Sequence, residues 1–347
     1  MKRVYLDHNA TTPLRADARV AMIAAMDVVG NPSSVHGEGR AAKSVVETAR
    51  AQVASALGAD GADVVFVSSA TEAAALICAG QDLAGAAVEH EAVGAWVSEA
   101  LAVDQAGAVT VLDPARSVLQ LANSETGVMQ DLPEGLALSD MTQAFGKVPL
   151  AFNWTGAVAA LISAHKLGGP KGVGALVIKR GTDVAAQLKG GGQEMGRRAG
   201  TENVIGIAGF GAAAEAAVAD VAAGAWARVE QLRDALEARL LEEAPGTEVI
   251  GRTATRLPNT SCFATPGWKG ETQVMQMDLS GFAISAGSAC SSGKVRASKV
   301  LTAMGLNDDL ASSAIRISLG LETQEDDVMR FAESWLQKRK KFHARAA

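Results

Sequence analysis

Short apolar segments alternate with helical stretches through the first half of the chain, and this alternation limits the possible folds more than any other feature. The apolar segments Asp63–Val67, Val118–Ala122 and Leu136–Asp140 all run into polar residues at their ends. A helical pattern over Lys43–Leu57 precedes the first of them. Strands that alternate with helices form mostly parallel sheets, so we predict an α/β fold with a large three-layer α/β/α domain. Ligands bind at the carboxyl edge of such sheets, which makes the polar residues there candidate site residues.

The pattern changes beyond Pro245, where strands and helices no longer alternate regularly. Short strands are expected at Val249–Ile250, Thr260–Phe263 and Ala283–Ser285. This arrangement is typical of a second, smaller α+β domain. We therefore expect a large domain over residues 15–222, and a small domain made of residues 1–14 and 223–347.

Composition and charge exclude several classes of protein. Of the 347 residues 48% are hydrophobic, which is enough for a large core, and the net charge is -6. The one short basic run, Lys338–Lys341, is typical of a solvated helix end, so no nucleic-acid partner is expected. We see no leader and no apolar run of membrane-spanning length, which predicts a cytoplasmic protein without membrane contact. Three cysteines without metal spacing indicate a reducing compartment, with neither disulfides nor a metal site.

The segment Ser163–Gly174, SAHKLGGPKGVG, places a lysine on a tight turn between two apolar segments. Partial burial there would lower the pKa of Lys166 and free its amine to form a Schiff base with a carbonyl cofactor. Ser163 and His165 beside it could bind a phosphate. The alternative is a surface turn with a solvated lysine.

Three further strand ends carry residues of chemical interest. Ala70 and Thr71 precede the predicted helix Glu72–Ala79, and a helix N-terminus can bind a phosphate, although an ordinary N-cap explains the same residues. His90 follows an apolar segment and is either functional or a surface histidine. Asp140 ends a strand, where it could pair with a protonated ring nitrogen or cap a helix.

Two residues of the predicted small domain stand out. Cys290 lies among small residues in SAGSACSSGK, which would keep its thiol exposed to reaction, although an unreactive loop thiol fits equally well. Arg316 lies within the apolar strand AIRISLG, and a buried arginine needs an anion. Either a structural carboxylate or a substrate carboxylate would serve.

Ten segments of the chain, in order, resemble those of the cysteine desulfurases, which are pyridoxal-phosphate enzymes of the class V aminotransferase group. The resemblance is greatest to the branch that serves nitrogenase maturation and iron–sulfur cluster assembly. The segments are YLDHNATTP, GNPSS, SSATEA, VEHEAV, ANSETG, SDMTQAFGK, SAHKLGGPKGVGAL, GGGQEMGRRAGTEN, SAGSACSSG and IRISLG. The resemblance implies the type I fold of pyridoxal-phosphate-dependent transferases. It also implies conversion of L-cysteine to L-alanine, with the sulfur passed on for iron–sulfur cluster or other cofactor biosynthesis.

The resemblance also implies a role for individual residues. The implied catalytic residues are Lys166 as the Schiff-base lysine, Cys290 as the sulfur acceptor that becomes a persulfide, and His90 as a proton carrier stacked on the cofactor. The implied cofactor contacts are Asp140 to the ring nitrogen, Gln143 to the phenolic oxygen, and Ala70, Thr71, Ser163, His165 and a second subunit's Thr201 to the phosphate. Arg316, helped by Asn31, would bind the substrate carboxylate. A homodimer and a sulfur-acceptor protein, such as an iron–sulfur scaffold, are the implied partners.

The chain departs from the family pattern at two positions near the cofactor. Ser124 stands where the family usually has a second asparagine, so its contact with the ring oxygen would be weakened or water-mediated. Ser69 replaces a usual glycine, which requires a backbone conformation that tolerates a Cβ atom. Two alternatives remain open, and these departures motivate the second. One is a selenocysteine lyase or another class V enzyme, and the other is a weakly active homologue that acts in sulfur relay.

Overall fold

The computed structural model describes residues 3–287 and 297–346. Helices and strands alternate in the order that the sequence predicts for an α/β fold. The helices of the described residues are α1 (Ala16–Met26), α2 (Gly37–Ala56), α3 (Ala70–Cys78), α4 (Glu91–Gly94), α5 (Val204–Ala222), α6 (Ala225–Glu243), α7 (Gly270–Asp278), α8 (Lys299–Ala303), α9 (Asp308–Ser313) and α10 (Glu325–Ala346). The strands are β1 (Val4–Tyr5), β2 (Asp63–Val67), β3 (Ala84–Ala86), β4 (Ser98–Val103), β5 (Val109–Thr110), β6 (Val118–Gln120), β7 (Leu138–Asp140), β8 (Ala159–Ser163), β9 (Gly174–Ile178), β10 (Glu248–Val249), β11 (Thr260–Ala264), β12 (Phe282–Ala283), β13 (Ser285–Ala286) and β14 (Ala314–Ser318).

A central mixed sheet in the order β2-β9-β8-β7-β6 organises the first part of the molecule. The pairs β6–β7 and β7–β8 are parallel, whereas β8–β9 and β9–β2 are antiparallel. A bridge between Ala84 and Ser117 extends this sheet to the three strands β3-β4-β5. The carboxyl ends of β6, β7 and β8 consequently share one edge, where Asp140 and Ser163 lie. The predicted α/β class is confirmed.

The core around this sheet is made largely of small side chains. Helix α5 packs against α1 and α2, and its glycines allow the helix axes to come close. A Cβ atom at Gly211 would lie 2.8 Å from the Cα of Ala49 on α2. In length and composition α5 is apolar enough to cross a membrane, but about half of that stretch is buried within this helical layer. A core helix passes the same test, so this feature does not decide the location of the protein.

A second core lies in the C-terminal part and is rich in aromatic residues. Trp335 meets Phe263 edge to face, with ring centroids 5.3 Å apart, and lies 5.5 Å from Trp268. These rings pack beside the antiparallel sheet β10-β11-β14-β13 and the parallel pair β1–β12. The N-terminal strand thus joins the C-terminal core. The domain bounds of 15–222 and 223–347 remain a prediction.

The segment that follows β1 connects the two cores and positions the site. Asp7 forms a parallel bridge with Ser318 at the end of β14. Five residues later Thr12 donates its backbone N–H to the carbonyl oxygen of His165, at 2.9 Å. Residues 7–13 therefore run from the C-terminal sheet to the turn after β8, with Asn9 fully enclosed between them.

Some elements differ from those that the sequence predicts. Helix α2 begins at Gly37, well before Lys43, because the ring of His36 accepts the backbone N–H of Gly39 and caps the helix. Strand β4 was not predicted, since most of its residues are exposed and it has no apolar alternation. Helix α9 was also not predicted. It is a short helix that begins at an Asn307 cap.

Candidate active site

Lys166 ends a 3₁₀ turn, Ala164–Lys166, that directly follows β8. Its ammonium donates to two backbone carbonyl oxygens, that of Asn9 at 2.6 Å and that of Ala10 at 3.0 Å. Within the described ranges, no carboxylate lies within ion-pair distance of Lys166. Burial and then the positive charge of Arg316 lower the pKa of Lys166 to about 8. The amine is therefore partly neutral near physiological pH and can act as a base or nucleophile.

Asn9 is the centre of the hydrogen-bond network below this lysine. It is 1% exposed and all of its polar atoms have partners. Its backbone oxygen accepts from Lys166 and Gln143, and its side-chain Nδ2 donates to the Ser124 carbonyl at 3.2 Å. A fully satisfied buried amide resists displacement, because every lost bond would leave a buried polar atom unpaired. Asn9 therefore fixes the relative positions of three residues that the sequence places in the site.

Asp140 and Gln143 lie at the carboxyl end of β7, one strand from Lys166. Both are buried. The Oδ1 atom of Asp140 accepts the backbone N–H of Thr142 at 2.9 Å, which fixes the carboxylate while its second oxygen stays available. Gln143 donates from Nε2 to the Asn9 carbonyl at 3.0 Å and accepts from Lys147 at 2.8 Å. The structure thus places an anionic acceptor and an amide donor at one sheet edge.

The N-terminus of α3 lies close to the same edge. A Cβ atom at Gly174 would approach Ser69 C to 2.8 Å and Ala70 N to 3.0 Å, so only glycine lets the helix start come this near to β9. Gly174 pairs with Ser163, which brings Ser163 next to the first turn of the helix. The N–H groups of Ala70 and Thr71 belong to that first turn, where helices lack intrahelical acceptors.

Ser69 serves as the N-cap of α3. Its φ of -173° is extended backbone that any residue can adopt, so serine replaces the usual glycine without strain. Its hydroxyl accepts from Glu72 N at 3.3 Å, and the Glu72 carboxylate accepts from Ser68 N at 2.7 Å. Arg198 pairs with Glu72 at 2.8 Å and neutralises it. The predicted N-cap and a phosphate-binding helix start are therefore compatible in this structure.

His165 faces the N-terminal segment rather than solvent. Its Nδ1 atom lies 3.2 Å from the Thr11 hydroxyl. Burial, followed by the charges of Lys166 and Lys171, lowers the pKa of His165 to about 4. The ring is consequently neutral near pH 7, and it can offer a hydrogen bond to a phosphate but no positive charge.

Arg316 lies in β14 and is 9% exposed. Its guanidinium donates to Asp7 Oδ1 at 2.7 Å and to the Ser124 carbonyl oxygen at 3.0 Å. Its Nε–H is buried and has no hydrogen-bond partner among the residues that the structure describes. Of the two anions that the sequence leaves open for this arginine, Asp7 is the structural carboxylate.

His90 caps α4 and is exposed. Its Nδ1 accepts the backbone N–H of Ala92 at 3.1 Å, so in the neutral ring the proton resides on Nε2. Glu89 beside it is buried, and burial raises its pKa to about 8. Its Oε1 atom accepts from Gln120 N at 2.9 Å, which ties the start of α4 to the end of β6.

Among the predicted site residues that the structure describes, Asn31 and Thr201 are not brought to this network. Asn31 is exposed, and its side chain accepts the N–H of Ser33 within its own turn. Thr201 is exposed in the loop before α5. Cys290 lies outside the described residues. The described chain ends before it at Gly287, just after β13, whose Ser285 pairs with Arg316.

The sequence analysis did not assign a role to Asp7, Asn9 or Lys147. Asp7 and Asn9 lie in the segment DHNATTP, which was noted only as part of the family resemblance. Lys147 follows Gln143 by four residues and is 3% exposed. Lys147 ends the segment SDMTQAFGK of the resemblance, but a lysine after an apolar turn is more often solvated than buried, so nothing in the sequence indicates its burial.

Comparison with known proteins identifies the family. The model of the class-V aminotransferase family matches residues 4–93 and 102–331, and the chain belongs to this family. A cysteine desulfurase of Cereibacter sphaeroides is 38% identical, over 96% of this chain and 95% of the relative. The cysteine desulfurase IscS of Dictyoglomus turgidum is 35% identical, over 94% of this chain and 92% of the relative. The solved structure of a NifS-like protein from Rickettsia africae is 32% identical over 96% of this chain and 99% of its own, with a TM-score of 0.87.

Members of this family depend on pyridoxal 5′-phosphate, and the residues of this site fit that cofactor. The donor set contains a lysine with a lowered pKa, a buried carboxylate with one oxygen available, and an amide donor one strand away. The close approach of α3 that Gly174 permits supplies N–H groups for a phosphate. The predicted fold and cofactor are thereby confirmed at the level of the family.

Proposed function

We propose that this protein is a cysteine desulfurase, which converts L-cysteine to L-alanine and transfers the sulfur to its own Cys290 as a persulfide. The observation that carries the proposal is the arrangement at the sheet edge. Among the described residues Lys166 donates only to carbonyl oxygens. Gln143 shares its Asn9 acceptor, and the charges of Arg316 and Asp140 both act on its pKa. The relatives named above are cysteine desulfurases, which supports this reaction over others of the family.

The proposed cofactor site uses residues from four elements. Asp140 at the end of β7 would hold the proton on the ring nitrogen, and Gln143 would donate to the phenolic oxygen. Ala70 and Thr71 at the start of α3, with Ser163 and His165 after β8, would hold the phosphate. When bound, pyridoxal 5′-phosphate supplies an aldehyde for an amine and a ring that stores the electron pair released at the α-carbon.

The substrate carboxylate would bind to Arg316. Asp7 already holds one end of the guanidinium, so the arginine does not need to reorient when cysteine arrives. Asn31 is exposed in its turn, and its contribution to this contact is part of the proposal.

Two side chains would move protons. Lys166 takes the proton of the α-carbon, because its lowered pKa leaves much of the amine neutral near pH 8. His90 gives a proton from Nε2 to the substrate sulfur. Nε2 remains available because the other ring nitrogen, Nδ1, accepts the N–H of Ala92. Cys290 then attacks the substrate sulfur as a thiolate. The sulfur–sulfur bond forms as the carbon–sulfur bond breaks, and the electron pair of the broken bond goes to the β-carbon, which takes up the proton that the Cys290 thiol gave up. Lys166 returns its proton to the α-carbon, which leaves a persulfide on the protein and releases alanine.

A homodimer is part of the proposal. Thr201 is exposed, as a residue that contributes to a second subunit's phosphate site must be. Helix α1 and the loop that follows it also expose an apolar surface, which is suited to burial against another chain. This surface consists of Val20, Ile23, Met26, Val29 and Val35.

The persulfide would pass to an acceptor protein, such as an iron–sulfur scaffold, in a reducing cytoplasm. The two cysteines of the described residues are buried and free, which is compatible with that location.

The test is a mass spectrum of the protein after brief treatment with L-cysteine, with alanine measured in the same sample. We expect one added sulfur atom on the Cys290 peptide together with alanine. The Cys290→Ala variant should keep its yellow cofactor and lose both products, while Cys78→Ala, the matched control, should form both.

Three results would contradict the proposal. Alanine formed at the wild-type rate by Cys290→Ala would exclude the persulfide. A yellow wild-type protein that releases alanine only from selenocysteine would show a selenocysteine lyase, and a yellow protein that gains no sulfur would act on a different substrate.

A further inference from the structure

Lys147 is a buried cation that the mechanism above does not use. It is 3% exposed and lies at the end of the turn after β7. Its ammonium donates to Gln143 Oε1 at 2.8 Å and to Asn9 Oδ1 at 3.3 Å. No carboxylate of the described chain lies within ion-pair distance of it. The nearby charges are the cations Lys166 and Arg316, which together with burial lower its pKa.

An ammonium in such a place is costly to bury, so a structural reason alone does not account for it. A methionine of similar length would fill the same space without desolvating a charge. The two neighbours of Lys147 are amide oxygens, and both amides belong to the network that supports Lys166. The position therefore indicates a role in orienting those amides.

The two amides depend on Lys147 to different degrees. Asn9 Oδ1 has a second donor, Asn259 Nδ2 at 3.0 Å, and Asn9 Nδ2 donates to the Thr260 hydroxyl at 2.8 Å. The orientation of Asn9 is thus fixed without the lysine. Gln143 Oε1 has Lys147 as its one hydrogen-bond donor among the residues that the structure describes. Lys147 Nζ donates this bond, and of the two polar atoms of the Gln143 amide only the oxygen can accept an N–H.

We propose that Lys147 is a positioning residue, whose ammonium holds the oxygen of Gln143 inward so that this side chain presents only N–H groups to the cofactor. One N–H of Gln143 goes to the Asn9 carbonyl, and the second remains for the phenolic oxygen. The inference rests on the proposed function, because it assumes that Gln143 contacts the cofactor there. Without Lys147 the buried Oε1 would lack a partner, and rotation of the amide would become favourable.

The test uses the cofactor-loaded protein and three variants, Lys147→Met, Gln143→Leu and the double variant. The readouts are the visible absorption band of the cofactor, the midpoint of its pH titration and the cofactor dissociation constant. A donor to the phenolic oxygen stabilises its anionic form, so we expect Lys147→Met to raise the midpoint and to weaken cofactor binding about tenfold. Lys340→Met, an exposed lysine on α10, is the matched control and should leave all three unchanged.

The double variant distinguishes an effect of Lys147 that acts through the Gln143 amide from a direct effect of the lysine charge on the cofactor. If Lys147 acts through Gln143, adding Lys147→Met to Gln143→Leu changes the midpoint no further. A second variant, Gln143→Glu, keeps a partner for Lys147 but offers only oxygen to the cofactor. It should therefore raise the midpoint in the same direction.

The outcomes distinguish this inference from the proposed function. The positioning role alone would be overturned if Lys147→Met shifted the midpoint equally in the wild-type and the Gln143→Leu backgrounds. It would also be overturned if Lys147→Met kept the absorption band of the wild type. A wild-type protein without any cofactor band would overturn both proposals.

Discussion

The buried basic side chains at the two ends of the site have different hydrogen-bond partners. At one end Lys166 and Lys147 have, among the residues that the structure describes, only carbonyl and amide oxygens as partners, and the pKa of each is lowered. At the other end Arg316 has a carboxylate, Asp7, at 2.7 Å. In the proposed mechanism Lys166 must lose a proton, and no carboxylate of the described residues pairs with it, whereas Arg316 must stay charged and in place and has such a partner. The difference separates base chemistry from anion binding within a single network around Asn9.

The energetic reason is the strength of the two kinds of contact. A carbonyl oxygen satisfies an N–H donor but compensates only part of the cost of burying a charge, so the neutral amine is favoured. A carboxylate at hydrogen-bond distance stabilises the cation and holds it in one geometry. Arginine also stays protonated in either environment, which makes it the suitable residue for the second role.

The largest effect should come from placing a permanently charged guanidinium, like that of Arg316, at the Lys166 end of the site. In Lys166→Arg the side chain stays charged at any physiological pH, so it can neither take the α-proton nor bind the cofactor covalently. We expect alanine formation to fall by at least about 10³-fold, while circular dichroism stays that of the folded wild type. Activity within a factor of ten of wild type would show that Lys166 is not the base.

A smaller effect should come from removing the carboxylate from the second end. Asp7→Asn takes the charged partner from Arg316, and we expect the KM for cysteine to rise about tenfold with a smaller change in kcat. Asp7 also raises the pKa of Lys166, so its loss lowers that pKa below about 8. The capture of pyridoxal phosphate by the apoprotein requires the neutral amine and speeds up as pH rises, with a midpoint near 8 in the wild type. That midpoint should move to lower pH in Asp7→Asn.

Asp278→Asn is the matched control for this variant. Asp278 pairs with Arg3 at the surface, where both side chains are more than half exposed, and such pairs contribute little. Neither KM nor the midpoint should change in the control. An unchanged midpoint in Asp7→Asn as well would show that Asp7 does not influence Lys166.

The contrast between the two ends could be predicted from the sequence only in part. The turn around Lys166, the strand that ends in Asp140 and the buried Arg316 follow from local patterns, because each lies next to an apolar strand. Asp7 and Asn9 could not be placed, since they reach the site through pairing with β14, more than 300 residues away in the chain. Lys147 contradicts the usual exposure of lysine, and only the packed structure shows that its partners are two amide oxygens.

The smallest effect is expected at Ser124, the residue that links both ends. Its backbone carbonyl accepts from Asn9 at 3.2 Å and from Arg316 at 3.0 Å, so the contact that orders the network does not depend on its side chain. Ser124→Asn should leave the KM for cysteine within about twofold. The longer amide could restore a contact with the cofactor ring oxygen, and we expect cofactor affinity to increase about threefold, which is less than one full hydrogen bond contributes. Equilibrium dialysis of the cofactor against both proteins measures this change. A tenfold or larger rise in the KM for cysteine would mean that the Ser124 side chain itself shapes the arginine end, and that the two ends are less independent than their hydrogen bonds indicate.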